Sequence, residues 1–239
     1  AGPVKVGVAV CDLFTGLFTA NAALAALAFR NRTGKGQHID CALLDSQVAM
    51  LANQSANWLN AEFCPTRMGN HHPSVVPYTV YKAADGFVIV ACGNDKQFIR
   101  LTAALGLPAL ADDPAFMTNE ARIKNRDRLD AELGNAVAAF DRETVIRLLE
   151  QAGVSCGPIN DIAEVFDDPQ VQARGLRIDQ QRSDNSSISS TAFPAKLSET
   201  PAHYHSAPPL LGEHNDDVLR QWADLSDEAI AAFRSNKVI

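Results

Sequence analysis

The stretch VKVGVAVCDLFTGLFTANAALAALAFRNRTGKG, residues 4–36, decides the fold of this chain. Its first seven residues include four valines and predict a buried strand or an extended entry segment. Asp12 is then placed to be the N-cap of a helix over about residues 13–32. This helix is rich in alanine, which allows close packing against its neighbours, and the glycines at residues 33–36 end it.

The next residues repeat this alternation of strand and helix. Residues 38–43 predict a second short strand, and residues 45–61 predict a second helix with Asp45 or Ser46 as its N-cap. Strand–helix–strand–helix is the pattern of a doubly wound α/β sheet. Because two strands cannot form such a sheet alone, we expect residues 1–61 to be part of a larger, Rossmann-like domain.

The remainder of the chain is divided into three parts. Residues 62–76 contain proline, glycine and asparagine without periodicity and predict a linker or functional loop, residues 77–175 predict a small α+β domain, and residues 176–239 form a last segment. The small domain is predicted to contain a hairpin at 78–83 and 87–92 with a turn at Asp85-Gly86, helices at 95–105, 118–139 and 142–152, a turn at Gly157-Pro158, and short helical pieces at 161–173. The last segment is predicted to contain strands at 176–182 and 187–193, an extended stretch at 194–214 and a helical stretch at 215–234.

The amino-acid composition restricts the classes of molecule that we expect this chain to bind. The net charge is −7 and the 21 basic residues are scattered, which disfavours a nucleic-acid or anionic-membrane surface. The most apolar stretch, residues 13–29, is interrupted by Thr15, Thr19 and Asn21, so it predicts a buried helix and not a membrane span. Without a recognisable signal peptide, a cytoplasmic location is the default expectation. The five cysteines are widely spaced, without a CxxC motif, as is typical of reduced thiols.

Asp12 is the acid with the clearest chemical potential. It follows an apolar segment and opens a helix, where backbone N–H groups and the helix dipole stabilise a carboxylate. Such a group can attack an activated acyl carbon when water is excluded. The alternative interpretation is a plain helix cap.

Other segments offer weaker candidates. The loop Gly69-Asn70-His71-His72 combines unusual backbone freedom with two imidazoles that can donate hydrogen bonds, although adjacent surface histidines are often bystanders. Gly93-Asn94-Asp95 ends a strand and caps the next helix. Residues 33–37 (TGKGQ) lack the spacing of a phosphate-binding P-loop. His203 and His205 have no third ligand at a helpful spacing, so we expect no metal site.

Taken together, these motifs resemble family III CoA transferases, which include formyl-CoA transferase, the carnitine CoA transferase and the bile-acid-inducible proteins. The motifs that carry the resemblance are, in order, Cys11-Asp12-Leu13-Phe14-Thr15-Gly16, Arg32-Thr33-Gly34-Lys35-Gly36-Gln37, Gly69-Asn70-His71, Gly93-Asn94-Asp95, Gly157-Pro158-Ile159-Asn160-Asp161, Asp168-Pro169-Gln170-Val171 and Leu211-Gly212-Glu213-His214-Asn215. The resemblance covers essentially the whole chain. It implies an α/β fold in which residues 1–61 are the C-terminal part of a doubly wound, nucleotide-binding-like large domain and residues 77–175 are a smaller α+β domain.

The resemblance also implies a reaction. Asp12 would be the catalytic nucleophile, forming a mixed anhydride and then an aspartyl-CoA thioester, with acyl-CoA and a carboxylic acid as substrates. Residues 62–76 would be the linker that includes the mobile loop over the active site, Gly93, Asn94 and Asp95 would lie near the substrate or CoA, and residues 176–239 would return to the large domain. The Pro77-Tyr78 hairpin and the Ile159-Asn160 region resemble those of members that act on dicarboxylic acids such as succinate or glutarate. Family members form interlocked homodimers.

Two alternatives stay open at this point. The α-methylacyl-CoA racemases place an acid/base aspartate at the position of Asp12, and Asp95 is a candidate for their second carboxylate. The chain also starts without methionine, so we expect it to be the C-terminal portion of a longer protein that lacks the N-terminal half. The second alternative is that this portion is a stable fragment without activity.

Overall fold

The computed structural model describes residues 4–239, and the chain divides into two compact units. The first unit ends at Pro73 and the second unit comprises Ser74–Ile239. This boundary falls within the predicted linker at residues 62–76. The finer division into domains stays a prediction, and residues 1–3 of the predicted large-domain part lie outside the described residues.

The described part of the first unit contains helices and connecting segments but no strand. Residues 4–73 contain α1 (Val10–Thr33), α2 (Leu43–Ala49) and α3 (Asn53–Ala61). Gly34 ends α1 as predicted, because it adopts the left-handed conformation at φ 74° and donates its N–H to the carbonyl of Arg30 at 2.8 Å.

The two strands predicted in this unit are wrong. Residues 4–9 precede α1 and residues 37–42 precede α2, and neither segment is a strand. A strand needs a neighbour for its backbone hydrogen bonds, and no strand lies within residues 4–73 to provide one. The predicted helix at 45–61 is interrupted as well, at Ala52, whose φ is 48°.

The apolar surface of α1 is exposed in this structure, contrary to the prediction of a buried helix. None of its described side chains is buried, and Leu24 is 68% exposed. By length and composition alone, α1 is also sufficient to cross a membrane, and the expectation that it is not a membrane span stays a prediction. The core helix of a soluble protein has the same length and composition.

The second unit is built around an antiparallel sheet. Within residues 74–239, β1 (Tyr78–Lys82), β2 (Phe87–Ala91) and β3 (Ser155–Pro158) form three strands in the order β1-β2-β3. The hairpin prediction is confirmed: Lys82 lies opposite Phe87 across the Asp85-Gly86 turn. Val88 and Val90 of β2 are buried because alternate side chains face the core.

Strand β3 was predicted as a turn, and this prediction is wrong. Gly157 lies opposite Ile89 and Pro158 opposite Val88 in an antiparallel ladder. A proline is tolerated here because β3 is an edge strand that pairs only with β2 among residues 74–239.

Helices connect β2 to β3. They are α4 (Asp95–Ala104), α5 (Ala109–Asp112), α6 (Asn119–Lys124), α7 (Arg126–Ala138) and α8 (Arg142–Gln151). Of these, α7 packs against β1, and α8 packs against β2 and β3. The helix predicted over 118–139 is divided at Asn125. Phe98, Leu101, Leu129 and Leu133 are buried with the strand valines in one core. Burial of such side chains is the main favourable contribution to the stability of the unit.

The remaining elements lie in the last third of the chain. They are α9 (Ile162–Asp167), α10 (Pro169–Ala173), β4 (Arg177–Gln181), β5 (Ser187–Thr191), α11 (Asn215–Ala223) and α12 (Asp227–Ser235). Asp161 caps α9 in a capping box with Glu164, as its position predicted. The β4–β5 hairpin is confirmed. Residues 194–214 contain no helix or strand, and residues 211–214 form a turn.

Candidate functional site

Asp12 lies in the first turn of α1, as its third residue. The N-cap is Ala9, so the assignment of Asp12 as the cap is wrong by one turn. The Asp12 carboxylate still lies near the positive end of the helix dipole, which acts throughout the first turn. The side chain of Asp12 is exposed and therefore accessible to a reactant.

The backbone around Asp12 is fixed by side chains on both sides of it. The Cys11 thiol donates to the carbonyl of Leu43 at 3.2 Å, and the Cys41 thiol lies 3.9 Å from the carbonyl of Thr15. The hydroxyl of Thr15 in turn donates to the carbonyl of Cys11 at 2.8 Å. The first turn of α1 is thereby held against residues 41–43.

The predicted loop has one position that requires glycine. Gly69 has φ 61°, which is unfavourable for residues with a Cβ. The turn that it forms is closed by the N–H of His71, which donates to the carbonyl of Met68 at 3.2 Å. A cavity of about 210 Å³ lies beside this turn, lined by Phe63, Met68 and His71 of the loop and by Gln54 of α3. The loop thus encloses space within the first unit.

Gly93, Asn94 and Asp95 form the turn from β2 into α4. The side chain of Asn94 accepts from the N–H of Gln97 at 3.0 Å, and Oε1 of the Gln97 side chain accepts from the N–H of Gly93 at 2.7 Å. The capping role anticipated for this motif is confirmed. Proximity of the three residues to CoA stays a prediction.

Asp95 has a partner that the sequence did not reveal. Its Oδ1 accepts from Nη2 of Arg122 at 2.7 Å, and the Arg122 side chain is fully buried whereas that of Asp95 is 55% exposed. The guanidinium also donates from Nε to the carbonyl of Val76 at 2.7 Å and from Nη1 to the carbonyl of Phe116 at 2.9 Å. The sequence shows only that Arg122 lies on a predicted helix. That position does not indicate whether its guanidinium is buried or exposed.

Other polar groups of the second unit are held in the core or bridge its elements. Burial raises the pKa of the Cys92 thiol to about 11, so Cys92 is protonated at neutral pH and is a poor nucleophile. The hydroxyl of Tyr81 donates to Asp130 at 2.6 Å, and burial together with that carboxylate raises the pKa of Tyr81. These groups do not supply a second nucleophile.

Metal ligation has no support in the described residues. His203 and His205 lie with ring centroids 5.8 Å apart, but no group of three or more ligating side chains is found within residues 4–239. All five cysteines are free thiols.

Similarity to known proteins decides the family. The sequence profile of CoA-transferase family III matches residues 1–215. The chain belongs to CoA-transferase family III. This family III chain is 45% identical over 219 residues to the succinate–glutarate CoA-transferase of Agrobacterium fabrum, covering 92% of the chain and 55% of that protein. It is 37% identical over 237 residues to the human succinyl-CoA:glutarate CoA-transferase, covering 99% of the chain and 54% of that protein.

Solved structures agree with this assignment. A CAIB/BAIF family protein from Brucella suis matches with a TM-score of 0.77 at 43% identity, covering 91% of the chain and 56% of that protein. The predicted α/β fold of family III is thereby confirmed. The chain spans about half the length of the curated relatives that it matches.

Proposed function

We propose that the protein containing this family III chain transfers CoA from an acyl-CoA donor to a carboxylic acid acceptor. The observation that carries this proposal is the 45% identity, over 92% of the chain, to a protein named as a succinate–glutarate CoA-transferase. A dicarboxylic acid such as succinate or glutarate is the proposed substrate class, because two of the relatives are named for these acids.

The reaction that we propose has Asp12 as its nucleophile. A carboxylate oxygen of Asp12 attacks the thioester carbonyl, the C–S bond breaks, and an aspartyl–acyl anhydride and the CoA thiolate result. The thiolate then attacks the aspartyl carbonyl, which releases the donor carboxylate and leaves an aspartyl-CoA thioester. The acceptor carboxylate repeats these steps in reverse, so that Asp12 is regenerated and no proton or electron is consumed.

The geometry of α1 supports this role for Asp12. A nucleophilic carboxylate has to be charged and reachable, and the first turn of α1 favours negative charge while leaving the side chain exposed. The contacts from Cys11 and Thr15 hold that turn in place, which limits the conformational entropy lost when a thioester is positioned.

Residues 62–76 are proposed to cover the reacting groups. An anhydride is hydrolysed by water, so the reaction requires that water be kept from it. The loop encloses a cavity of about 210 Å³ within its own unit, and Gly69 supplies a backbone conformation that other residues would strain. Asn70, His71 and His72 are the neighbouring donors that we propose face the substrate.

The exposed apolar surface of the first unit supports a further part of this proposal. Leu17, Leu24 and Trp58 are all more than half exposed, and they require cover in the whole protein. We propose that the rest of the large domain provides it, in a cytoplasmic homodimer. Sedimentation with lipid vesicles tests the alternative, because α1 would carry the protein into the vesicle fraction if it were a membrane anchor.

The proposed mechanism is tested by trapping the intermediate in the full-length protein. The protein is incubated with succinyl-CoA, treated with hydroxylamine or borohydride, and digested for mass spectrometry. We expect modification on Asp12, and a fall in transfer rate of at least about a thousandfold in the Asp12→Asn protein. Asp45→Asn is the matched control, since Asp45 is an exposed carboxylate in the first turn of α2.

Two outcomes contradict the proposal. Modification at a residue other than Asp12 would exclude it as the nucleophile. Exchange of the acyl α-proton with deuterated water, without transfer of CoA, would show the racemase chemistry instead.

A further inference from the structure

The end of the proposed lid loop is attached to the second unit by two side chains of α6. Asn119 donates from Nδ2 to the carbonyl of Ser74 at 2.9 Å and accepts at Oδ1 from the N–H of Val76 at 3.0 Å. Arg122 donates to the carbonyl of Val76 at 2.7 Å. The backbone polar groups of Ser74 and Val76 are thus bound by one short helix, just where the loop ends.

The guanidinium of Arg122 extends this attachment to the turn before α4. It is fully buried, it lies 4.5 Å from the centre of the Phe98 ring, and it forms an ion pair with the half-exposed carboxylate of Asp95. A buried cation is strongly dependent on its counter-ion, because removing one partner leaves an uncompensated charge in the core. Asp95 therefore helps to hold Arg122, and Arg122 holds Val76.

We propose that Arg122 is a positioning residue that couples the Gly93-Asn94-Asp95 turn to the end of loop 62–76. A change at Asp95 then loosens the loop. Asp95 acts through Arg122, because the contacts that hold the end of the loop do not include one between Asp95 and Val76. As a statement about catalysis this rests on the proposed function, in which the loop covers the reacting carboxylate. As a statement about the chain it is testable by itself.

The test measures how readily the loop opens in the full-length protein. Arg67 lies exposed in the loop, so limited digestion with trypsin produces a new N-terminus at Met68 at a rate that follows local opening. Cleavage after Lys196, which is exposed in the extended stretch of the second unit, provides an internal reference in the same digestion.

Two variants disturb the two ends of the coupling. Asn119→Ala removes the bonds to Ser74 and Val76 directly, and Asp95→Asn removes only the charge that faces Arg122. We expect each to raise the cleavage rate after Arg67, relative to that after Lys196, by about three- to tenfold, as for the loss of one or two hydrogen bonds. The thermal midpoint of each protein is recorded to exclude global unfolding.

A matched control is available in the same domain. Arg128 also lies over a phenyl ring, at 4.7 Å from the centre of Phe116, and also forms an ion pair of 2.7 Å, with Asp113. Arg128 is 55% exposed and has no bond to Ser74 or Val76 among the hydrogen bonds of the loop end. Asp113→Asn therefore removes one negative charge that is paired with an exposed arginine and not with Arg122, and we expect it to leave cleavage after Arg67 unchanged.

The outcomes separate the two proposals. An unchanged rate in the folded Asn119→Ala protein overturns the attachment, and a rise in Asn119→Ala without one in Asp95→Asn overturns the coupling through Arg122. A rise in both, but not in Asp113→Asn, supports it. If the wild-type protein transfers no CoA, the proposed function fails while the cleavage comparison stands.

Discussion

Arg142 donates from Nη2 to Oε1 of Glu164 at 2.7 Å and so joins the beginning of α8 to α9. The same side chain passes close to the hairpin turn, where a Cβ on Gly86 would lie 2.8 Å from Cδ of Arg142. The backbone N–H of Arg142 also donates to Asp85 in that turn, at 2.8 Å. One arginine thus connects the β1–β2 turn with two helices.

Replacing Gly86 should disturb this connection. Gly86→Ala displaces the Arg142 side chain and weakens its pairing with Glu164, so we expect a loss of about 1 kcal/mol in the free energy of unfolding, measured in urea. Gly157→Ala is the control, because a Cβ at Gly157 meets no atom within 4 Å. Equal effects of the two substitutions would contradict the argument from Arg142.

The pairing of Glu164 predicts a dependence on pH. The hydrogen bonds from Arg142 and from the N–H of Asp161 hold the pKa of Glu164 below its ordinary value. A carboxyl group whose pKa is lowered by folding stabilises the fold above the unfolded-state value, and this contribution is lost as the pH falls through the folded-state value. The stability difference between wild type and Glu164→Gln should therefore be present at neutral pH and shrink below about pH 4. A difference that is constant from neutral to acidic pH would show that the pair contributes nothing through charge.

Thiol accessibility predicts an order of alkylation. Cys64 is exposed, whereas Cys92 is buried and burial raises the pKa of its thiol to about 11. We expect iodoacetamide to modify Cys64 under native conditions and Cys92 only after unfolding, because the thiolate is the reactive form. Peptide mass spectrometry over a time course measures both rates. Early labelling of Cys92 in the folded protein would contradict its placement in the core.

The core of the second unit predicts which truncations are costly. Leu129 of α7 is fully buried, so Leu129→Ala should lower the free energy of unfolding by about 2–5 kcal/mol, through lost burial and the cavity left behind. Ile162 of α9 is 77% exposed, and Ile162→Ala should change stability by less than about 0.5 kcal/mol. Chemical unfolding of the two variants alongside wild type provides the comparison.

Sequence reasoning succeeded where structure is determined locally. The β1–β2 hairpin follows from alternating side chains and the Asp85-Gly86 turn, and the caps at Asn94 and Asp161 follow from side chains that bond their own helix ends. Sequence reasoning failed where the interaction partners of a segment lie far away in the chain. The segments 4–10 and 38–43 have the composition of strands, but no strand within residues 4–73 pairs with them.

The candidate site shows the same division between features determined locally and features that depend on distant residues. Asp12 was found from its position at the start of a helix, although the helix begins one turn earlier, at Val10. Arg122 was missed because its burial depends on Val76, Phe116 and Asp95, which come together only in the folded domain. A charged residue is seldom fully buried, so residue type alone predicts the opposite environment.

The boundary between Pro73 and Ser74 has a consequence for protein engineering. Because each unit is one continuous segment, a single crossover would exchange the second unit between homologous enzymes. A breakpoint just before Ser74 transfers the segment Ser74–Val76 together with Asn119, whereas one placed after Val76 joins that segment to a foreign α6. Chimeras of the first kind inherit the contacts of Asn119 with Ser74 and Val76 intact from one parent.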